Sequence, residues 1–269
     1  MNNIERIRYV LVCLRAWKHF FFYPLFTIQL TIKRLMLTIT RKFWGPTIVS
    51  PVTGEAIFNV QSLMTYWAFH VVRELGDEWH PILRNTVRPV VFDVGANLGL
   101  FGRLVRSVNP ASYIVAIDPW QEMEAHNNHA TKFYAMAVGD SAGTIQLARA
   151  RWMLTACRSA GVGESSQSVE LKHAGSASNT LHNSQQETWP VKVMTLDDIW
   201  CQHGSPDIAV LKIDVDGAEG LILAGAQNML ARTNVIILEV NSPEVLAALP
   251  VGFTWVTHNW HDRIGTRTV

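Results

Sequence analysis

From residue 90 onward the chain carries short, largely apolar runs that each lead into an acidic residue. Residues 90–92 lead into Asp93, 113–117 into Asp118, 208–213 into Asp214 and 235–238 into Glu239. Runs of this length without polar alternation predict strands buried on both faces, and the helical spacing over 100–105 predicts a helix packed back on the first of them. A further run at 133–138 ends in the turn pair Gly139-Asp140 and predicts a short strand. Residues 121–130 read as a helix with Asp118 as a candidate N-cap, and 243–249 as a brief helix. The segments 252–259 and 263–269 then close the sheet as a hairpin. The expected architecture is an open α/β sheet, in which ligands sit at the carboxyl ends of the strands.

The chemistry gathers at those ends. After the first strand the chain reads D-V-G-A-N-L-G over 93–99, so Asp93, Gly95, Asn97 and Gly99 form a glycine-punctuated turn into a helix. A dinucleotide-binding turn would read G-x-G-x-x-G, and the third glycine is missing here. A carboxylate at the strand end suits a cationic group, whereas it would repel a pyrophosphate; a plain strand-to-helix turn is the alternative reading. Asp118, at the end of the second strand, has the position from which a carboxylate accepts ribose hydroxyls. Asp140 falls where the third strand would bring it beside a base. Along the run over 210–214, side chains alternate, so Lys212 and Asp214 share one face, either as part of a reacting site or as a structural ion pair. Glu219 lies in the first turn of the helix that follows, and Asp216 is placed to cap it.

The ordered set D-V-G-A-N-x-G (93–99), T-L-D-D (195–198), K-I-D-V-D-G-A-E (212–219) and the strand V-I-I-L-E-V (235–240) resembles the FkbM family of S-adenosylmethionine-dependent methyltransferases. The resemblance spans roughly 90–241. It implies a class I methyltransferase fold: a Rossmann-like, doubly wound, mostly parallel sheet with helices on both faces and an antiparallel last strand. It further implies an O-methyltransferase acting on a hydroxyl of a sugar, a lipid-linked glycan or a natural product, with S-adenosylmethionine as cofactor. Carried over by position, Asp93, Gly95, Asn97 and Gly99 match the methionine-side loop, Asp118 the ribose ligand, and Lys212, Asp214 and Glu219 the charged set on the fourth strand and following helix. Asp118 and Asp216 stand where the family often has glutamate, which keeps the charge.

Methyl transfer to an alcohol needs alignment and a base for the hydroxyl proton. Asp214 is one candidate; the histidines His126, His129, His173, His182, His258 and His261 are others, and sequence does not choose among them. Asp214, Asp216 and Glu219 offer oxygen ligands of the kind magnesium accepts, but carboxylates so placed serve equally as caps and cofactor ligands, and no metal is predicted. The three cysteines, Cys13, Cys157 and Cys201, are too scattered for a disulfide framework or a zinc knuckle and fit a reducing compartment.

Charge divides the chain unevenly. The whole carries +1, yet residues 1–43 hold eight Lys and Arg against Glu5 alone, a net of +7, which leaves −6 on the rest. The overall balance gives no general drive toward nucleic acid. The basic stretch is also apolar, with aromatics at 20–23, and its longest uncharged run, 19–32, is fourteen residues and contains Pro24. A spanning helix needs about twenty. Residues 1–45 therefore read as a helical extension lying in an anionic membrane interface on the cytoplasmic face, with packing on the catalytic domain as the alternative.

Gly45-Pro46 and Ser50-Pro51 mark the boundary to a helical cover segment, 46–89, in which Leu63, Trp67, Val71 and Leu75 keep helical spacing. The core follows over 90–269. Within it, 158–188 turns rich in Ser, Gly, Asn and Gln and reads as a flexible insertion, partly a hairpin between 169–173 and 189–194; the family resemblance implies that it covers the acceptor, and disorder without function is the alternative. Two other functions remain at this point: a membrane-bound scaffold without turnover, and a nucleotide-dependent oxidoreductase, which the missing third glycine disfavours.

Overall fold

β3 (Val90–Val94) lies inside a seven-stranded sheet, its side chains apolar or charge-compensated on both faces. The computed structural model describes residues 78–148, 188–215, 217–240, 242–257 and 262–268, with the short pieces 25, 28–30, 32–33, 48–49 and 56–57. On one side β3 pairs in parallel with β4 (Tyr113–Asp118), which pairs in parallel with β5 (Lys132–Ala135). On the other side it pairs in parallel with β9 (Ile208–Ile213), followed by parallel β10 (Thr233–Glu239). β12 (Asp262–Arg267) runs antiparallel to both β10 and the edge strand β11 (Phe253–Thr257). The fold is mixed α/β around this sheet.

The strand order β11-β12-β10-β9-β3-β4-β5 turns outward in opposite directions from β3 and β9, and a crevice opens at the carboxyl ends of strands where that happens. One face of the sheet, including Phe92, Val115, Leu211 and Ile236, packs under α3 (Leu196–Gln202), α4 (Glu219–Ala224) and α5 (Gln227–Leu230). The opposite face, with Val91, Ile114, Val210 and Ile237, is covered by Trp79 and Leu83 of the segment bearing α1 (His80–Asn85) and by Phe101 and Val105 of α2 (Leu100–Val108).

The T-L-D-D motif is architectural. Thr195 Oγ1 accepts the Asp198 N–H at 3.0 Å and caps α3. Asp197 reaches across to accept the N–H groups of Asn228 (3.0 Å) and Met229 (2.7 Å), so one carboxylate closes the start of α5 as well.

Several expectations are altered. The helix expected over 121–130 is a 3₁₀ helix, Gln121–Asn127, with Trp120 at its N-cap position. Asp118 accepts the Trp120 N–H instead of capping the helix. The segment 46–89, expected to be helical, contains a small antiparallel ribbon of β1 (Ile48–Val49) and β2 (Ala56–Ile57); its periodic stretch 60–75 lies outside the described residues. The first half of the hairpin expected between 169–173 and 189–194 lies outside the described residues, and its second half is strand. β8 (Thr188–Met194) pairs antiparallel with β7 (Gly143–Ala148) and in parallel with β6 (Ala137–Val138). Thr188 is thus already strand, and the rest of 149–187 lies outside the described residues. Pro243–Ala247 is helical (α6), and β11 with β12 forms the closing hairpin as expected. Among the described residues no helix is long and apolar enough to cross a membrane.

Candidate active site

The turn after β3 is shaped by three residues in the left-handed region: Gly95 (φ 77°), Asn97 (φ 46°) and Gly99 (φ 72°). Asn97 is the non-glycine residue type that tolerates this conformation, and Gly99 has a second constraint. A Cβ there would lie 2.6 Å from the His129 ring and 2.7 Å from the His126 carbonyl. The N–H groups of Gly95 and Ala96 both donate to the Ile117 carbonyl, at 3.0 and 3.1 Å, fastening the turn to the end of β4.

Lys212 is the hub of the charged cluster. It sits opposite Asp93 in the β3/β9 register. Its buried ammonium lies 3.3 Å from Asp93 Oδ1 and 3.2 Å from Asp214 Oδ2, and donates to the Gly95 carbonyl at 3.1 Å. Burial alone would lower the lysine pKa, but the Asp214 and Asp93 carboxylates outweigh it and hold the ammonium above the ordinary lysine range. Burial pushes the Asp93 carboxyl up, and Lys212 pulls it back. The ionised lysine is the firmer of the two conclusions, since three oxygens surround its nitrogen. Asp93 is fully buried and its Oδ2 has no hydrogen-bond donor, whereas the Asp214 side chain is 42% exposed at the mouth.

Asp118 is also withdrawn from solvent, but by other means. Its Oδ2 accepts the Asn97 N–H and its Oδ1 the Trp120 N–H, both at 3.0 Å. Burial raises its pKa to about 6 against these two donors. The Glu219 carboxylate folds back on the loop before α4, accepting from Val215 N (3.3 Å) and Gly217 N (3.0 Å); burial raises its pKa. Asp140 is exposed and accepts the Ser141 hydroxyl at 2.9 Å. Behind that turn Gly225 is pressed so closely that a Cβ would come within 2.2 Å of the Gly139 carbonyl.

The structure therefore brings Asp93, Gly95, Lys212 and Asp214 into one cluster, sets Asn97 and Asp118 beside it through a shared hydrogen bond, and keeps Gly99 and Asp140 at the periphery. Among the candidate bases, His129 packs against Gly99 and Gly102, where burial, then Arg103 and Arg106, lower its pKa to about 4 and keep it neutral. His126 spends its carbonyl on Arg103. His173, His182, His258, His261 and Asp216 lie outside the described residues. No group of metal-ligating side chains is present among the described residues.

Two contributors were not singled out from sequence. Asn127, buried in the 3₁₀ helix, donates through Nδ2 to the carbonyls of Asn97 and Met123, both at 2.9 Å, and so fixes the turn from outside. A narrow apolar cleft between Gly95, Pro119, Met136, Val138, Ala218 and Ile222 runs beside the strand ends. The proximity of Pro119 to Asp118 is a sequence signal for the second; nothing in the sequence marks Asn127.

A family model described as Methyltransferase FkbM domain matches residues 93–249, more than half of the chain and all of the residues in this cluster. Two solved structures are similar to the chain at low identity. Precorrin-6y C5,15-methyltransferase from Geobacter metallireducens is 11% identical, with a TM-score of 0.33, over 71% of this chain and 86% of that one. TrmN from Thermus thermophilus is 12% identical, with a TM-score of 0.34, over 71% of this chain and 48% of that one. No curated protein matches the chain.

Proposed function

Because the chain belongs to the FkbM methyltransferase family and is an S-adenosylmethionine-dependent methyltransferase, we propose that the cluster at the ends of β3, β4 and β9 holds the cofactor and directs its methyl group to a hydroxyl. The acceptor we propose is a sugar, a lipid-linked glycan or a natural product. The fully buried Asp93 Oδ2 without a donor is the observation that carries the reading, because an ammonium group of a ligand satisfies it. The strand order is also that of a doubly wound sheet with an antiparallel last strand, which supports a class I methyltransferase architecture.

The residues fit the cofactor part by part. Asp93 and the Gly95 turn would take the amino-acid portion, Asp118 the ribose hydroxyls through its remaining lone pairs, and the cleft at Pro119, Met136 and Ile222 the flat base. When bound, S-adenosylmethionine supplies an electrophilic methyl group on a cationic sulfur. The chain's own task is to align the acceptor oxygen and remove its proton, and good alignment alone is worth roughly 7 kcal/mol or more. Asp214 is the member of the cluster that an acceptor can reach, and it takes the hydroxyl proton. Lys212 stays protonated beside it and holds Asp214 and the Gly95 turn in one geometry.

The test is calorimetric titration of S-adenosylhomocysteine into the full chain and its Asp118→Ala variant. Saturable binding to the first, weakened on the order of a hundredfold in the second, is expected from the loss of charge-assisted hydrogen bonds. Equal affinities would remove Asp118 from the site, and no binding to the folded full chain would overturn the placement of the cofactor.

A further inference from the structure

The basic extension presents an apolar stripe that the methyltransferase reading does not use. Positions 25, 28–30, 32 and 33 are helical. At 3.6 residues per turn, positions 25, 28 and 32 fall on one side of the helix, with 29 at the stripe's edge, while 30 and 33 fall on another. Exposure follows the same division. Leu25, Ile28 and Ile32 are 75%, 41% and 55% exposed, whereas Leu30 and Lys33 are buried. Three large aliphatic side chains in solvent along one helical face form a stripe, which single exposed residues elsewhere on the surface do not.

From this stripe and the charge of the surrounding sequence we infer that Leu25, Ile28 and Ile32 form a docking surface for an anionic phospholipid membrane. The flanking chain supplies the charge: residues 1–43 carry a net of +7, with Glu5 as the sole acid, and the aromatics at 20–23 directly precede the stripe. A helix with an apolar face and basic flanks lies in the interface with that face among the acyl chains and its cations at the headgroups. Each Lys or Arg near an anionic surface adds attraction that decays within a Debye length, so salt weakens the contact. Lys33, buried and with its pKa lowered by burial, belongs to the inward side and is not counted among the headgroup contacts. This surface is separate from the cofactor cluster and does not depend on the identity of the acceptor.

The full chain should sediment with phosphatidylcholine vesicles that contain phosphatidylserine, weakly with phosphatidylcholine alone, and progressively less as salt is raised. Burying one exposed Leu or Ile is worth roughly tenfold in binding, so the combined Leu25→Asp, Ile28→Asp and Ile32→Asp variant should bind on the order of a hundredfold or more weakly. Val251→Asp, at an apolar position 94% exposed outside the stripe, should bind as the unaltered chain does. Thermal unfolding and S-adenosylhomocysteine titration of the same samples show whether the variants stay folded and whether the cofactor site is intact, independently of the lipid result. Absence of vesicle binding by the unaltered chain at low salt, equal binding to neutral and anionic vesicles, or undiminished binding by the folded triple variant would each overturn the inference. A shift to a dimer that buries the stripe would assign it to a second copy of the chain and overturn it as well.

Discussion

Asp93 and Asp118 sit at the ends of neighbouring parallel strands, are equally hidden from water, and are accommodated by opposite means. Asp93 is matched by a whole charge, the Lys212 ammonium, and has one oxygen with no donor. Asp118 is matched by two backbone N–H dipoles and no cation in contact. A buried carboxylate thus needs either a counter-charge or oriented amides, and the choice decides what a ligand can add. Among the described residues Asp93 keeps an oxygen that a cation would satisfy, whereas Asp118 keeps lone pairs for neutral donors such as hydroxyls.

The comparison breaks most severely at Lys212. Replacing it by Met strands Asp93 in the core without its cation, and a loss of about 3–5 kcal/mol in urea unfolding is expected. Adding Asp93→Leu should restore most of that, since the stranded carboxylate is then removed as well. If the single variant loses less than about 1 kcal/mol, Asp93 is neutral in the folded chain and the contrast with Asp118 disappears.

Titration sharpens the other half. The Asp118 carboxyl rises from 3.8 to about 6 on folding, so between those values the folded chain holds a proton that the unfolded chain has released. Its contribution to stability therefore falls as pH rises through that window and levels off above it. The fall amounts to about 3 kcal/mol at most. Unfolding of the parent and of Asp118→Asn, followed from pH 3.5 to 7, should show a difference that shrinks over roughly the window set by this shift; a pH-independent difference would mean the amides alone offset the burial.

The smallest effect is a reference outside both carboxylates. Asp197→Ala removes the cap of α5 and should cost about 1–2 kcal/mol of stability while leaving S-adenosylhomocysteine affinity unchanged. A matching loss of affinity would show that the cofactor end and the α3–α5 side of the sheet are coupled, and the two carboxylates could no longer be compared in isolation.

The strands and their acidic ends were legible because unbroken apolar runs need no long-range information. Burial of the central sheet requires such runs, and β3, β4, β9 and β10 appear where they occur. The pairing of Lys212 with Asp93 was not legible, since it depends on which strands become neighbours. Alternation along one strand gave Lys212 and Asp214 a common face but said nothing of β3. Asp118 shows a second kind of limit. As a sequence position it reads as a ribose ligand or a helix cap, and only the backbone path after Pro119 directs its oxygens to Trp120 and Asn97. β8 likewise found its partner in β7, upstream of the polar segment, because β7 offered an edge of matching length.

That last pairing has a consequence for how such a chain can diversify. Ala148 and Thr188 are paired across β7 and β8, so the chain positions that flank residues 149–187 are held side by side. Lengthening a loop whose ends are already held together costs only about 0.6 kcal/mol for each doubling. A segment inserted between ends held in this way can be extended or shortened while the sheet beneath it is inherited intact.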